Sequence, residues 1–464
     1  MFDVSREDIV GGSLPRALVI LAGPLVAQNF ALVAQSVVDL FWVGRLGGQA
    51  VAAVGLATVV VALLTVPLRG FFAGGQIVTS QRVGADEVVA ARRVPFTAAA
   101  CAIAVAAVLG AGLVVAADPI AAAFVDDSTV QSYAVSYLTA YALALVAVAA
   151  SDTLESGFTG WGDTRAALYV NLTAIVVNVI ADPFLILGWW VFPRLELFGA
   201  ALATAIGYGC GALFALALAA RGRQGFVLTR QALRPHLDTA REVVDVGLPI
   251  AGQGAGRQVA RLGMIAVVSA VGGSAGLAAY HIGSQVATIA FVPATGVAQA
   301  ATSIVGQNLG AEQPSRARRA TWIGVAIAVV GLSVFGAVQW LVPAPIAQVF
   351  VPDLSGQALE YTVLYLQILA YGYWALGAIY TVEAGFNGAG NTDVSMYSTL
   401  AQYWAVRLPV ALVGAYILDL GVAAVFWGVT LSNVAAALWL AAYFYRSADR
   451  GMLHQAADEA AASD

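Results

Sequence analysis

The chain has 464 residues, 60% hydrophobic and only 11% charged, with a formal net charge of −5 and a mean hydropathy of +0.82. A soluble domain carries about 25% charged residues, so one water-soluble core is excluded, and the acidic balance leaves nothing that points to a nucleic-acid partner. All 22 basic residues are Arg; without Lys no GxxxxGK[ST] phosphate loop exists, so the chain carries no ATP motor of its own.

The start, MFDVSREDIVGGSLPR, is polar, and no apolar segment near it ends in a small-residue cleavage site. The first span is therefore read as permanent, with no signal peptide removed. Polar breaks then divide the chain into runs of roughly 20–27 residues, each long enough for a bilayer core of about 30 Å. The first six lie at 15–41, 50–76, 92–117, 128–151, 163–188 and 197–220. They carry, in order, Pro24 and Asp39; Arg69; Cys101; Tyr137; Asn178, Asp182 and Pro183; and Thr204 with Cys210. Asp152 and Glu155 follow the fourth. A basic loop, 221–241, leads to six more at 240–270, 276–303, 317–343, 357–381, 392–418 and 421–445. Pro249, Arg257 and Arg261 fall in the seventh, Glu383 just after the tenth and Arg407 in the eleventh. The expected fold is an all-α membrane protein of twelve transmembrane helices.

Three segments recur. LAGPLVAQ (21–28) matches VGLPIAGQ (246–253) at an offset of 225. SQRVGADEVVAARR (80–93) matches GQNLGAEQPSRARR (306–319) at 226, and LESGFTGWGDT (154–164) matches VEAGFNGAGNT (382–392) at 228. Six spans per half is an even number, so both halves enter the membrane the same way, as a parallel repeat. The expected organisation is an N-terminal lobe (1–220), a cytoplasmic linker (221–241), a C-terminal lobe (242–446) and a cytoplasmic tail (447–464). With the N-terminus inside, sixteen arginines fall on the cytoplasmic side and two, Arg45 and Arg194, outside; the positive-inside rule then places both termini in the cytoplasm. Trp42, Trp189, Trp190 and Trp340 sit near predicted interfaces as belt anchors.

Features shared by the halves read as scaffold, and features confined to one half as chemistry. An ionisable group inside the bilayer is costly and by default functional. Asp39 maps onto Met264, Asn178 onto Val406 and Asp182 onto Val410, so two intramembrane carboxylates lack C-terminal twins. Asn178 and Asp182, four apart, share a helix face. Pro183 removes a helix N–H and leaves the Val179 carbonyl free. Tyr137 and Thr204 lie at the same outer level. Two carboxylates in one low-dielectric pocket repel, and such a pair can take up a proton or hold Na⁺ through oxygen ligands; the plainer alternative is that either Asp pairs with Arg69 or Arg257. Glu155 and Glu383 are repeat twins, which suggests gating or structural work such as capping the following loop. Pro24 and Pro249 are twins expected to kink their helices as hinges. The roles of Asp152, Arg257, Arg261 and Arg407 stay open. The two Cys stand alone and His236, His281 and His454 are scattered, so no metal, redox or nucleophile–base set is spelled, and no enzyme, metal or cofactor is expected beyond Na⁺ at Asp39, Asp182 and Asn178.

On these residues the chain resembles the multidrug and toxic compound extrusion (MATE) family along all twelve spans. The matching pieces are QSVVDLFWVGRLG (35–47), RVGAD (82–86) with NLGAE (308–312), GWGDT (160–164) with GAGNT (388–392), and NVIADP (178–183). The resemblance implies two pseudo-symmetric six-helix bundles in a V shape, exporting cationic or amphipathic small molecules by alternating access in antiport with H⁺ or Na⁺. It implies a cation site at Asp39, Asn178, Asp182, Tyr137 and Thr204, and a bending helix at Pro24. The family branch with an acid in the seventh span is not matched, because GQGAGRQVARLGM (252–264) holds none. A flippase for lipid-linked sugars of the same superfamily is the alternative. The expected setting is the cell membrane, among lipids, as a monomer.

Overall fold

A computed structural model describes residues 5–461; the first residues of the polar start and the last three of the tail lie outside them. Among the described residues the regular structure is entirely helical: α1 (Arg6–Gly11), α2 (Leu14–Gly44), α3 (Gly48–Leu64), α4 (Val66–Gly84), α5 (Val88–Phe124), α6 (Ser128–Trp161), α7 (Thr164–Leu187), α8 (Glu196–Ala220), α9 (Leu237–Gly310), α10 (Pro314–Leu341), α11 (Pro343–Phe350), α12 (Gly356–Ala370), α13 (Tyr373–Gly388), α14 (Thr392–Leu400), α15 (Leu408–Tyr416), α16 (Gly421–Asp449) and α17 (Met452–Ala461). Eight helices are long and apolar enough to cross a membrane. Two bent pairs, α3 with α4 at 46° and α12 with α13 at 50°, make one further span each. α9 holds two spans joined at Gly273, whose backbone (φ 57, ψ −151) is not helical. The eleventh is broken: α14 and α15 are joined by a π-helical turn, Ala401–Arg407. Twelve spans result, so this is a multi-pass membrane protein. Val108, Val115 and Leu213 are exposed on outer faces, where hydrocarbon is as good a solvent as a protein core.

The chain divides into two compact units. One is Met1–Arg6 with Gly23–Ala251, the other Glu7–Ala22 with Gly252–Asp464. α2 and α9 each pass from one unit to the other, α2 next to Pro24 and α9 within three residues of Pro249.

The repeated motifs are explained by turns and close helix approaches. Asp86 (φ 65) and Glu312 (φ 55) occupy matching left-handed positions in the paired loops. Gly160 and Gly388 let matching helices touch: an added Cβ would stand 2.5 Å from the Gln76 carbonyl oxygen in one unit and 2.7 Å from that of Thr302 in the other. These glycines recur because both halves need the same approach of backbones.

In the first unit, the segment after α8 is anchored rather than loose. Arg223 grips Asp163 through Nε–Oδ2 (2.5 Å) and Nη2–Oδ1 (3.2 Å). Trp161 Nε1 donates to the Gln224 carbonyl (2.9 Å) and Arg92 Nε to that of Gly225 (2.8 Å). Fully buried Phe226 packs between Phe96, Phe158 and Trp161. Arg82 pairs with Glu242 on α9. In the second unit Tyr365 stacks between Tyr280 and Phe426, and Phe386 packs edge-on against Phe444. Of the predicted belt residues, Trp42 meets Trp189 edge-on (5.5 Å), Trp190 is exposed, and Trp340 Nε1 donates to the Tyr371 hydroxyl (3.0 Å).

Asp127 caps α6, accepting from the Thr129 (2.8 Å) and Val130 (3.2 Å) amides. The Gln49 amide, then those backbone groups, holds its carboxyl below the usual carboxylate range. A depressed carboxyl contributes stability above its unfolded pKa and loses it as pH falls through the folded value. Asp127→Asn should therefore melt slightly below the wild type at neutral pH, and the gap should close below about pH 4. A gap constant with pH would show that the charge does not matter.

Candidate functional site

The first unit holds a buried polar site where α2, α7 and α8 meet. Gln35 and Asp39 are one turn apart on α2, and Asn178 and Asp182 one turn apart on α7, so each pair projects from one face. Asn178 and Asp182 are buried, Asp39 is half-buried. The Asn178 amide lies 2.7 Å from Gln35 Nε2, 3.1 Å from Asp39 Oδ1 and 3.2 Å from the Thr204 backbone nitrogen. Turned with its NH₂ toward Asp39 and its carbonyl toward the Thr204 N–H, it satisfies both neighbours, and Gln35 must then turn its own amide oxygen to the same NH₂; the orientations are assigned from the hydrogen bonds. The Asp39 and Asp182 carboxyls lie within hydrogen-bonding reach of each other. Two carboxyls in contact can be joined only through a shared proton or cation. Asp182 Oδ2 is buried and faces no partner, an acceptor left over in a site that satisfies its other groups. Neither Asp pairs with an arginine among the described residues.

Tyr137 stacks on Tyr141 (5.7 Å) within electrostatic reach of both carboxyls. Thr204 contributes its backbone N–H, because its hydroxyl donates to the Ala200 carbonyl (3.1 Å). Gln35 was not singled out by comparing charges across the repeat; its signal was a glutamine one turn before Asp39. Gln35→Leu leaves the Asn178 amide without the Gln35 amide 2.7 Å away. We expect a loss of roughly 1–3 kcal/mol in denaturation of the purified protein, with slower transport. Unchanged stability and transport would remove Gln35 from the site.

Deeper toward the other end, the repeat builds the same Gln–Glu pair twice. Gln28 lies within hydrogen-bonding reach of Glu155, which accepts from Thr159 Oγ1 (3.3 Å). Its twin, Gln253, donates through Nε2 to Glu383 Oε1 (3.1 Å) and Thr399 Oγ1 (2.8 Å). The partners of both glutamates are thus side chains, not the backbone amides of the following loop. Asp152 lies within electrostatic reach of Glu155 and Arg69. Pro24 lies inside α2 and Pro249 inside the first of the two spans of α9, and the helix runs on past each of them. Cys101 and Cys210 are both free, and the described residues hold no group of three metal-ligating side chains.

In the second unit, the positions matching Asp39 and Asp182 are Met264 and Val410, and the region is cationic instead. Arg407, at the end of the π turn, is buried, donates to Ser432 Oγ (2.9 Å) and Asn433 Oδ1 (2.5 Å), and lies 3.9 Å over the Tyr403 ring.

Comparison with known proteins agrees with the duplication. The MatE family model matches twice, over residues 24–184 and 249–413. The chain is 29% identical over 469 residues to a probable multidrug resistance protein NorM of Pseudomonas aeruginosa, covering 96% of this chain and 92% of that one. It is 28% identical over 432 residues to a protein of the same description from Pseudomonas putida, covering 92% and 93%. Its fold matches a crystal structure of MATE in complex with MaL6 with a TM-score of 0.89 at 20% identity, over 97% of this chain and 99% of that one. A duplicated MatE match spanning most of both lobes, twelve helical spans and a fold shared with solved MATE structures lead to one conclusion: the chain belongs to the MatE family and is a membrane transporter of the multidrug and toxic compound extrusion type.

Proposed function

We propose that this transporter is a secondary active exporter of cationic or amphipathic small molecules, working by alternating access in antiport with H⁺ or Na⁺. It would work in the cell membrane with both termini in the cytoplasm. The observation that carries this reading is the contact between the Asp39 and Asp182 carboxyls, closed by Asn178 and Gln35, in one unit only. With cargo bound, the pair is ionised and repulsive; a proton or Na⁺ arriving from outside joins the two carboxyls and removes the charge that favours a cationic ligand. Pro24 in α2 and Pro249 in α9 stand where each helix passes between units, and are the proposed hinges. The Gln28–Glu155 and Gln253–Glu383 pairs, built alike, are proposed to hold each lobe together at its gate. The similarity to proteins described as multidrug resistance proteins supports small-molecule cargo.

The test is ethidium efflux from ATP-free proteoliposomes under an imposed proton or sodium gradient. Efflux should follow one gradient and cease when an ionophore collapses it. Efflux indifferent to both gradients would refute antiport. Flipping of a fluorescent lipid-linked sugar without drug efflux would favour the flippase reading.

A further inference from the structure

The two Gln–Glu pairs share their residues but not their hydrogen bonding. In the second unit the set closes on itself. Gln253 Nε2 donates to Glu383 Oε1 (3.1 Å) and to Thr399 Oγ1 (2.8 Å), and Thr399 Oγ1 donates to Glu383 Oε1 (3.3 Å). Thr399 stands seven residues after Thr392, the first residue of α14. Its counterpart, seven residues after Thr164, the first residue of α7, is Asn171. Thr399 precedes the π turn, so the register between α7 and α14 is intact there. The repeat thus sets Gln28, Glu155 and Asn171 where the other half has Gln253, Glu383 and Thr399, with an amide in place of the hydroxyl.

In the first unit the set stays open. Gln28, within hydrogen-bonding reach of Glu155, keeps a buried Oε1 with no partner, and Asn171 keeps a buried Oδ1 with none. The two residues are only 5% and 4% exposed. Neither Gln253 nor Thr399 leaves such an atom. A buried acceptor without a partner is costly, and turning Gln28 over would only set its oxygen against the carboxylate. Charge points the same way. No arginine pairs with Glu155 among the described residues. Asp152, one turn before it on α6, has Arg69 within electrostatic reach, which leaves the Glu155 charge unbalanced. A proton on Glu155 would serve one of the two oxygens; a water would serve both and leave the charge. A cation with oxygen ligands answers the charge and both oxygens together. The described residues hold no group of three acidic, His or Cys side chains for a divalent metal, so one carboxylate with two amide oxygens suits a monovalent ion.

We propose that Glu155, Gln28 and Asn171 form a Na⁺ site in the first unit, separate from the Asp39–Asp182 pair. Asn171 and Asn178 share a face of α7 but lie two turns, about 10 Å, apart along its axis. Na⁺ closes this set as the Thr399 hydroxyl closes the other. The site goes beyond the exporter reading and stands whether or not Asp39 and Asp182 couple transport.

The test uses the full chain carrying both Asp39→Asn and Asp182→Asn, in which the other carboxyl pair cannot ionise. Its unfolding midpoint is followed by Trp fluorescence as NaCl replaces choline chloride at constant ionic strength. The midpoint should rise with Na⁺ and saturate. Adding Glu155→Gln should abolish the rise. Adding Asn171→Thr, which copies the closed set of the second unit, should keep the fold and weaken the apparent Na⁺ affinity by about ten-fold or more; it carries the test if the Glu155 variant does not fold. No Na⁺-dependent rise in the double variant, or a rise untouched by either added substitution, would overturn the proposal.

Discussion

Asp39→Asn and Asp182→Asn should each fold, insert and melt close to the wild type, yet reduce gradient-driven ethidium efflux to the rate of empty vesicles. The substitutions keep the size of each side chain and remove its ability to ionise. Asn at either position can still hydrogen-bond to the remaining carboxyl, so the helix contacts survive. What is lost is the site's ability to alternate between repelling anions and a neutral, bridged pair. The two variants should fail alike, and the double variant should fail no further, because the pair acts as one unit. Efflux from both single variants at the wild-type rate would refute the assignment of coupling to this pair. Passive binding of ethidium should persist in both, which separates a coupling defect from a misfolded protein.

The second large effect is expected at Gly207 on α8. A Cβ there would stand 2.5 Å from the Ala174 carbonyl oxygen, 2.9 Å from Asn178 Cβ and 3.2 Å from the Asn178 nitrogen. Two of these neighbours are α7 backbone, which cannot swing aside, so Gly207→Val must push α8 off α7. Overpacking of this kind costs roughly 1–3 kcal/mol or more. The shift falls at the residue that joins Asp39, Gln35 and the Thr204 N–H. Both thermal stability and efflux should therefore drop. Gly209, on the same helix two residues on, has open space where its Cβ would be. Gly209→Val is the matched control and should leave both unchanged. Equal behaviour of the two variants would show that helix propensity, not the α7–α8 approach, sets the effect.

How much of this was legible beforehand depends on what each feature rests on. The spans were readable because a bilayer demands a fixed length of apolar chain, and the duplication because loop motifs survive at constant offset. Asp39 and Asp182 drew attention as charges that one half has and the other lacks. The same comparison passed over Gln35, since a neutral amide raises no alarm in a charge inventory. The break in the eleventh span had one mark, Pro409, which has no N–H for the Ala405 carbonyl inside AQYWAVR; AQYWAVR itself contains neither Gly nor Pro, and one extra residue per turn leaves no trace on composition. With it went the placement of Arg407 and Tyr403, whose directions depend on that turn. The passage of α2 between units at Gly23 falls beside Pro24, the bend the sequence offered; that the helix changes neighbours there was not legible, because its apolar pattern runs on unbroken. Thr204 was chosen for a hydroxyl; the structure uses its N–H, a choice between two donors of one residue that sequence does not make.

The most direct measurement is ion release. Purified wild-type protein in weakly buffered detergent solution receives saturating ethidium while pH and free Na⁺ are recorded, alongside Asp39→Asn. Wild type should release protons or sodium in proportion to dye bound, and the variant should bind dye and release neither. Equal release from both proteins would mean that cargo displaces its ion from somewhere other than these two carboxyls.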